Sequence, residues 1–281
     1  MVCVKATVGV CVLAMLWLFP QGPGAATAQQ YQPTIGQQGK DVIWVPTPES
    51  LVTAMLDIAK VTSKDYVIDL GSGDGRMVIA AAKRGARALG VEYNPDMVAL
   101  SRANALKAGV SDKASFVQAD IFETNFSQAT VLTLYLLPSL NMKLRPKILD
   151  MKPGTRVVTN SFDMGDWNAD QSVTVEDRTA YLWIVPAKVA GVWTWPKTAL
   201  TLNQGHQKIA GTLKLDAQSL SIANATLSGN RISFVVGDSP SALREYSGYV
   251  IGNTIQGTVK IPNGPEVKWV ASRAPAGTPK K

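Results

Sequence analysis

Three textures of apolar and polar residues follow one another along this chain. Lys5 is followed by a 14-residue apolar run from Ala6 to Phe19, which Pro20 and a Gly/Pro stretch then end. Between positions 42 and 186, short apolar runs such as Tyr66–Leu70 and Val131–Leu137 alternate with stretches whose apolar residues recur every three or four positions. That is the pattern of buried parallel strands joined by crossover helices. Beyond Pro186 the runs become short and strictly alternating, with turn residues such as Ser228-Gly229-Asn230 and Pro262-Asn263-Gly264 between them. Such a texture predicts a small antiparallel β sandwich or barrel.

Within the middle region the order of elements can be read residue by residue. Val42–Val45 is a short apolar run after the polar linker. Thr47 reads as an N-cap, with Pro48 first in a helix that buries Leu51, Val52, Met55, Leu56 and Ala59. A strand then runs from Tyr66 to Leu70 into the turn Gly71-Ser72-Gly73-Asp74-Gly75-Arg76 and a helix from Met77. Further strands are expected at 88–91, 115–119, 131–137, 156–159, 173–175 and 181–185. After Pro186, strands are expected around 193–195, 199–202, 211–215, 231–235, 246–250, 254–257 and 267–270.

Composition narrows the chemistry. Both cysteines, Cys3 and Cys11, lie in the first dozen residues, so the remainder forms no disulfide, zinc-thiolate site or cysteine nucleophile. The single histidine, His206, excludes multi-histidine metal sites and makes a Ser-His-Asp hydrolase a poor fit; no metal site is expected. His206 itself, in a Gln-Gly-His-Gln loop, reads as a surface residue. Residues 29–180 carry 16 Lys/Arg against 17 Asp/Glu, whereas residues 181–281 carry 11 against 4. The basic charge therefore belongs to the β-rich part, which suits contact with an anionic surface, and no nucleic-acid partner is expected. The order of Lys5, apolar run and Ala26-Thr27-Ala28 reads as a secretory signal of residues 1–28, hence an exported or membrane-associated protein. A polar linker over 29–41, a nucleotide-binding domain over 42–186, a β-rich domain over 187–273 and a disordered tail over 274–281 complete the expected layout.

The candidate site lies at the strand ends. Gly71, Ser72 and Gly73 form a turn through which backbone N–H groups come close to a ligand. Asp69 stands two residues before the first glycine, Glu92 ends the second strand, and Asp120-Ile121 end the third. Ligands of open α/β sheets bind at these carboxyl ends, so the three acids are expected to face one crevice. Glu92 is placed to accept from a ribose diol and Asp120 from an adenine amino group, with Ile121 against the ring. Asp74 inside the turn would repel a pyrophosphate, and Arg76 stands where a dinucleotide fingerprint needs a helix-packing glycine. Both features count against an NAD(P)-dependent oxidoreductase.

The segment Asp69-Leu-Gly-Ser-Gly-Asp-Gly-Arg76, together with Glu92 and Asp120, resembles the class I S-adenosylmethionine-dependent methyltransferases, whose fold is a Rossmann-like seven-strand sheet. Val45-Pro-Thr-Pro48, Leu134-Tyr-Leu-Leu-Pro138, Leu144-Arg-Pro146 and Pro153–Val158 narrow the resemblance. They are similar to bacterial relatives of the mitochondrial lysine methyltransferases acting on the adenine nucleotide translocase and the ATP synthase c-subunit. The resemblance implies S-adenosyl-L-methionine as cofactor, with Asp69, Gly71 and Gly73 at the methionine moiety, Glu92 at the ribose and Asp120 at the adenine. It also puts Tyr135 beside the accepting nitrogen, where many amine methyltransferases carry Asn/Asp-Pro-Pro-Tyr. This chain has no Asn or Asp there. The acceptor is accordingly expected to be a protein lysine or a small molecule, the remaining alternative being a non-catalytic binding protein on the same fold.

Overall fold

The structure is a computed structural model that describes residues 1–2, 31–239 and 242–274. The expected signal segment falls outside those residues apart from its first two positions.

The α/β layer starts with helix α1, Glu49–Ile58, and strand β1, Tyr66–Leu70. Then follow α2, Arg76–Lys83; β2, Arg87–Glu92; α3, Pro95–Lys107; β3, Ala114–Gln118; β4, Val131–Leu134; and α4, Pro138–Leu149. β5, Arg156–Asn160, β6, Gln171–Val175, and β7, Arg178–Ile184, complete one seven-stranded sheet in the order β3-β2-β1-β4-β5-β7-β6. β1 to β5 are parallel, and β7 runs antiparallel to both β5 and β6. Two apolar layers explain the unbroken apolar strands. Val67 faces α1 and α2 through Leu51, Met55, Val78 and Ala82, while Ile68 and Leu70 face Leu144, Ile148, Trp167 and Trp183 on the other side. Chain order reverses between β1 and β4, and a crevice opens at such a switch point on the carboxyl side of the strands.

Two local expectations need correction, and one helix had no counterpart among them. Thr47 does not cap α1: Pro48 is the boundary residue, and Thr47 Oγ1 accepts from Asn160 Nδ2 at 3.1 Å. Its carbonyl accepts from Arg76 Nη1 at 2.7 Å, so tertiary partners outcompete the local cap. Helix α4 has no clear periodic signature, because Asn141 takes an inward position and Pro146 lies within it; Leu144 and Ile148 supply its buried face. Residues 36–44, the end of the expected linker and the apolar run after it, form a small hairpin in which Gly36 N donates to Trp44 O and Trp44 N to Gln37 O, each at 2.9 Å.

The second sheet contains β8 Gly191–Trp195, β9 Thr198–Gly205, β10 Lys208–Leu215, β11 Gln218–Ser221 and β12 Ala223–Ser228. It continues with β13 Arg231–Val236, β14 Arg244–Ile251, β15 Thr254–Lys260 and β16 Glu266–Arg273. All neighbours are antiparallel, in the order β11-β10-β9-β8-β16-β15-β14-β13-β12. Ile222 N donates to Gly211 O at 3.0 Å, which brings the chain between the two end strands back onto β10 and nearly closes a barrel. β11 and β12 escape the alternating pattern because they are made largely of Ser, Ala, Asn and Gln. The sharp curl sits where Gly248 faces Gly257: a side chain on Gly257 would strike the Ser247 carbonyl. Trp193, Phe234, Tyr246 and Trp269 fill the barrel, with Phe234 stacked on Tyr246 at 4.9 Å between ring centroids.

His206 is not a free surface residue. It stacks on Trp167 of the α/β layer at 5.8 Å, and its Nε2 lies 3.4 Å from Asp166 Oδ2. Trp167 is fully buried and also packs on Trp183, whose Nε1 donates to the Trp167 carbonyl at 2.7 Å. Trp167→Ala is therefore expected to destabilise the protein by about 3–5 kcal/mol in urea unfolding, as large-to-small changes at fully buried aromatics do. A change within about 1 kcal/mol would show that this joint carries little of the stability.

Candidate functional site

A cavity of about 350 Å³ opens at the carboxyl ends of β1, β2 and β4. All eight site residues expected from the sequence line it: Asp69, Gly71, Ser72, Gly73, Glu92, Asp120, Ile121 and Tyr135. Among the described residues none beyond Phe162 does, so the described part of the barrel takes no part in its wall.

The loop after β1 is shaped by close approach. Gly73 has φ +54°, and a Cβ there would lie 2.7 Å from Trp44 Nε1, so the indole of the N-terminal hairpin rests directly on the turn. Glu92 seals the loop from the other side. Its Oε2 accepts from Gly73 N and its Oε1 from Asn94 N, both at 2.9 Å. Both oxygens are thereby fixed in direction while keeping lone pairs for a diol. Asp74 behaves differently from the sequence expectation. Its carboxylate turns onto Arg76, with Nη2 at 2.6 Å and Nε at 3.0 Å, so its charge is locally matched. The acid that disfavours a pyrophosphate at these N–H groups is instead Glu92.

Asp69 is buried at the end of β1. Burial pushes its carboxyl up to about 7, with Glu92 and Asp74 adding like charge; the Thr133 hydroxyl, donating at 2.6 Å, only partly opposes this. A cation arriving beside Asp69 would reverse the shift. Asp120 accepts from Phe122 N at 2.8 Å through Oδ1 and ion-pairs with Lys40 through Oδ2. Lys40, followed by that backbone bond, holds the Asp120 carboxyl below the usual carboxylate range. Lys40 Nζ also lies 4.8 Å from the centroid of the Tyr93 ring. At the other end of the cavity Tyr135 stacks on Phe162, centroids 6.1 Å apart at 21°. The Tyr135 hydroxyl accepts from Arg178 Nη1 at 3.2 Å.

Chemically, the cavity offers a buried acid for an ammonium, a fixed carboxylate for a diol and a second carboxylate beside an isoleucine for an aromatic amine. Lys40, Trp44, Thr133, Phe162 and Arg178 escaped sequence reasoning. Trp44 alone carried a local signal, as an aromatic following a polar Gln/Gly-rich stretch. The others come from segments whose meeting depends on the fold.

Comparison with known proteins identifies the family. The domain family described as the ANTKMT methyltransferase domain matches residues 69–171. A protein-lysine N-methyltransferase of Saccharolobus islandicus (strain REY15A) is 45% identical over 151 residues, covering 51% of this chain and 94% of that protein. The Mus musculus lysine N-methyltransferase named for the ATP synthase c-subunit is 38% identical over 107 residues, 38% of this chain. This chain spans only 43% of the mouse protein's length. A solved structure, described as an RNA methyltransferase from Salinibacter ruber in complex with S-adenosyl-L-homocysteine, is 50% identical with a TM-score of 0.51. The match covers 52% of this chain and 96% of that one.

Proposed function

This chain belongs to the S-adenosylmethionine-dependent methyltransferases, and from that premise we propose that it methylates a lysine amine of a protein. The observation that carries the reading is the 45% identity over 94% of a relative named as a protein-lysine N-methyltransferase.

The cavity suits the donor chemically. We assign Asp69 to the ammonium of the methionine moiety, Glu92 to the ribose diol, and Asp120 with Ile121 to the adenine. Gly71, Ser72 and Gly73 give the backbone its close approach. Lys40 holds the carboxylate assigned to the adenine amine and has to yield it when donor binds. When bound, the donor supplies an electrophilic methyl group on a sulfonium. The chain's own task is then alignment and exclusion of water, which Leu136, Phe162 and Tyr135 perform as the cavity wall. The Tyr135 hydroxyl is assigned to the accepting nitrogen. Among the described residues no histidine or cysteine lines the cavity, and an amine with an ordinary pKa of about 10.4 has to enter in its neutral form.

Incubation of the purified protein with methyl-labelled donor and a cell extract tests the acceptor. Label that resists ribonuclease, is lost to protease and appears as methyl-lysine after acid hydrolysis is the expected result. Label confined to RNA would replace this reading with the one favoured by the 50%-identical Salinibacter ruber structure. Tyr135→Phe is expected to lower kcat by about ten- to a hundredfold, the range of one misplaced hydrogen bond at a reacting group. Donor affinity should stay unchanged in a parallel calorimetric titration, and an equal loss of both would move Tyr135 to the donor side.

A further inference from the structure

Arg178 opens β7 beside the carboxyl end of β5, where Asn160 pairs with Ala180. Its guanidinium reaches the Tyr135 hydroxyl, one residue along from the cavity-facing end of β4. In the α/β layer Arg76, Arg145 and Arg156 are matched by Asp74, Asp166 and Asp65, whereas Arg87 lies over the Tyr66 ring and Arg102 donates to the Phe116 carbonyl, both away from the cavity. Among the described residues Arg178 takes part in no ion pair. The acid two positions before it, Glu176, accepts from Ser50 Oγ at 3.2 Å instead.

We infer that Arg178 is a positioning residue with an electrostatic role: it holds the Tyr135 hydroxyl and, as an uncompensated cation behind it, makes the acceptor pocket selective for a neutral amine. The inference rests on the amine reading of the site. A fixed like charge disfavours an ammonium; at the dielectric response of a partly buried site it lowers an amine pKa by about one to two units. Other charges around the cavity do not supply this. Asp69, Glu92 and the pairs Asp74–Arg76 and Asp120–Lys40 are anionic or neutral in sum. They favour an ammonium where they act at all. Asp69, raised to about 7, is ionised above about pH 8, so with S-adenosylhomocysteine kept saturating at every pH a window from about pH 8 to 10 reads the amine.

The test uses n-butylamine, a lysine side-chain analogue, titrated by calorimetry into the full chain saturated with S-adenosylhomocysteine. Sulfur in that compound is uncharged, which leaves Arg178 as the cation behind the amine pocket. Butylamine affinity of the unaltered protein is expected to stay nearly flat at the lower end of the window and to rise about tenfold per pH unit once the lowered amine pKa, at about 8.5–9.5, is passed, because above it only the neutral form is bound. Arg178→Gln retains a donor for Tyr135 but lacks the charge. It should bind butylamine at least about tenfold more tightly at the lower end of the window, with a flattened pH dependence, and Arg178→Lys should restore the steep one. The same slope in the glutamine variant as in the unaltered protein overturns the electrostatic role. An equal loss of affinity in both variants at every pH overturns it as well, reducing Arg178 to a scaffold. Failure of butylamine to bind the unaltered protein at the upper end of the window, with S-adenosylhomocysteine still bound, removes the amine reading and the inference together.

Discussion

Glu92→Ala is expected to weaken S-adenosylhomocysteine binding by about a hundredfold, two charge-assisted hydrogen bonds at the lower end of ~1.5–3 kcal/mol each. The reason lies in how the carboxylate is held. Gly73 N and Asn94 N each donate to one of its oxygens, so the group is aimed before any ligand arrives. Alanine removes the diol partner and also leaves the Gly73 and Asn94 amides without their acceptor. The loop then loses part of the shape on which close approach to the methionine moiety depends. Glu92→Gln separates the two effects, since it keeps one acceptor oxygen of similar shape and should lose only about tenfold. Calorimetric titration measures both. A dissociation constant unchanged in the alanine variant would remove Glu92 from the donor site.

The second large effect is a pH dependence centred on Asp69. Its carboxyl is raised to about 7 from the ordinary 3.8 by burial, so the folded protein holds a proton there that the unfolded chain has already released. Between pH ~4 and ~7 the native state binds more protons than the unfolded state. The contribution of this group to stability therefore grows as pH falls through that window and is smallest above it. Donor binding follows the opposite course, because the ammonium needs the ionised acid. S-adenosylhomocysteine affinity is thus expected to fall about tenfold per pH unit below about 7. An alkaline limb begins where the ligand's own α-amino group loses its proton, above the range of a polypeptide N-terminus because a carboxylate stands beside it. Asp69→Asn should abolish donor binding while raising the melting temperature of the ligand-free protein at about pH 8, where the buried charge is most unfavourable. Affinity that stays flat from about pH 8 to about pH 5.5 would place the ammonium elsewhere.

The two predictions have different origins. The involvement of Glu92 follows from the sequence, since an acid at the tip of the second strand needs only the strand to be recognised. Its rigidity does not, because the amides that fix it come from the loop after β1 and the start of α3. Asp69 was legible as a site residue from its place before the first glycine. Its proton affinity depends on burial beneath the loop and on Thr133 in the neighbouring strand, 64 residues away.

Local rules by themselves determined much of this protein. Apolar runs too short for helices, a Gly-x-Gly-x-Gly turn and acids at successive strand ends specify a nucleotide-type crevice, because strand period, glycine freedom and strand polarity act within a few residues. Alternation after Pro186 specifies a curled antiparallel sheet for the same reason. Only the tertiary structure decided what depends on distant partners. Lys40 meets Asp120 and Trp44 covers Gly73 because residues 36–44 fold back as a hairpin over the strand ends. Asp74 is matched by Arg76, and His206 leaves solvent to stack on Trp167. Arg178 reaches Tyr135 because β7 inserts antiparallel beside β5 and brings its first residue to the cavity's edge. Charge compensation and burial are properties of what surrounds a side chain, and one-dimensional spacing does not encode those surroundings until the chain has closed on itself.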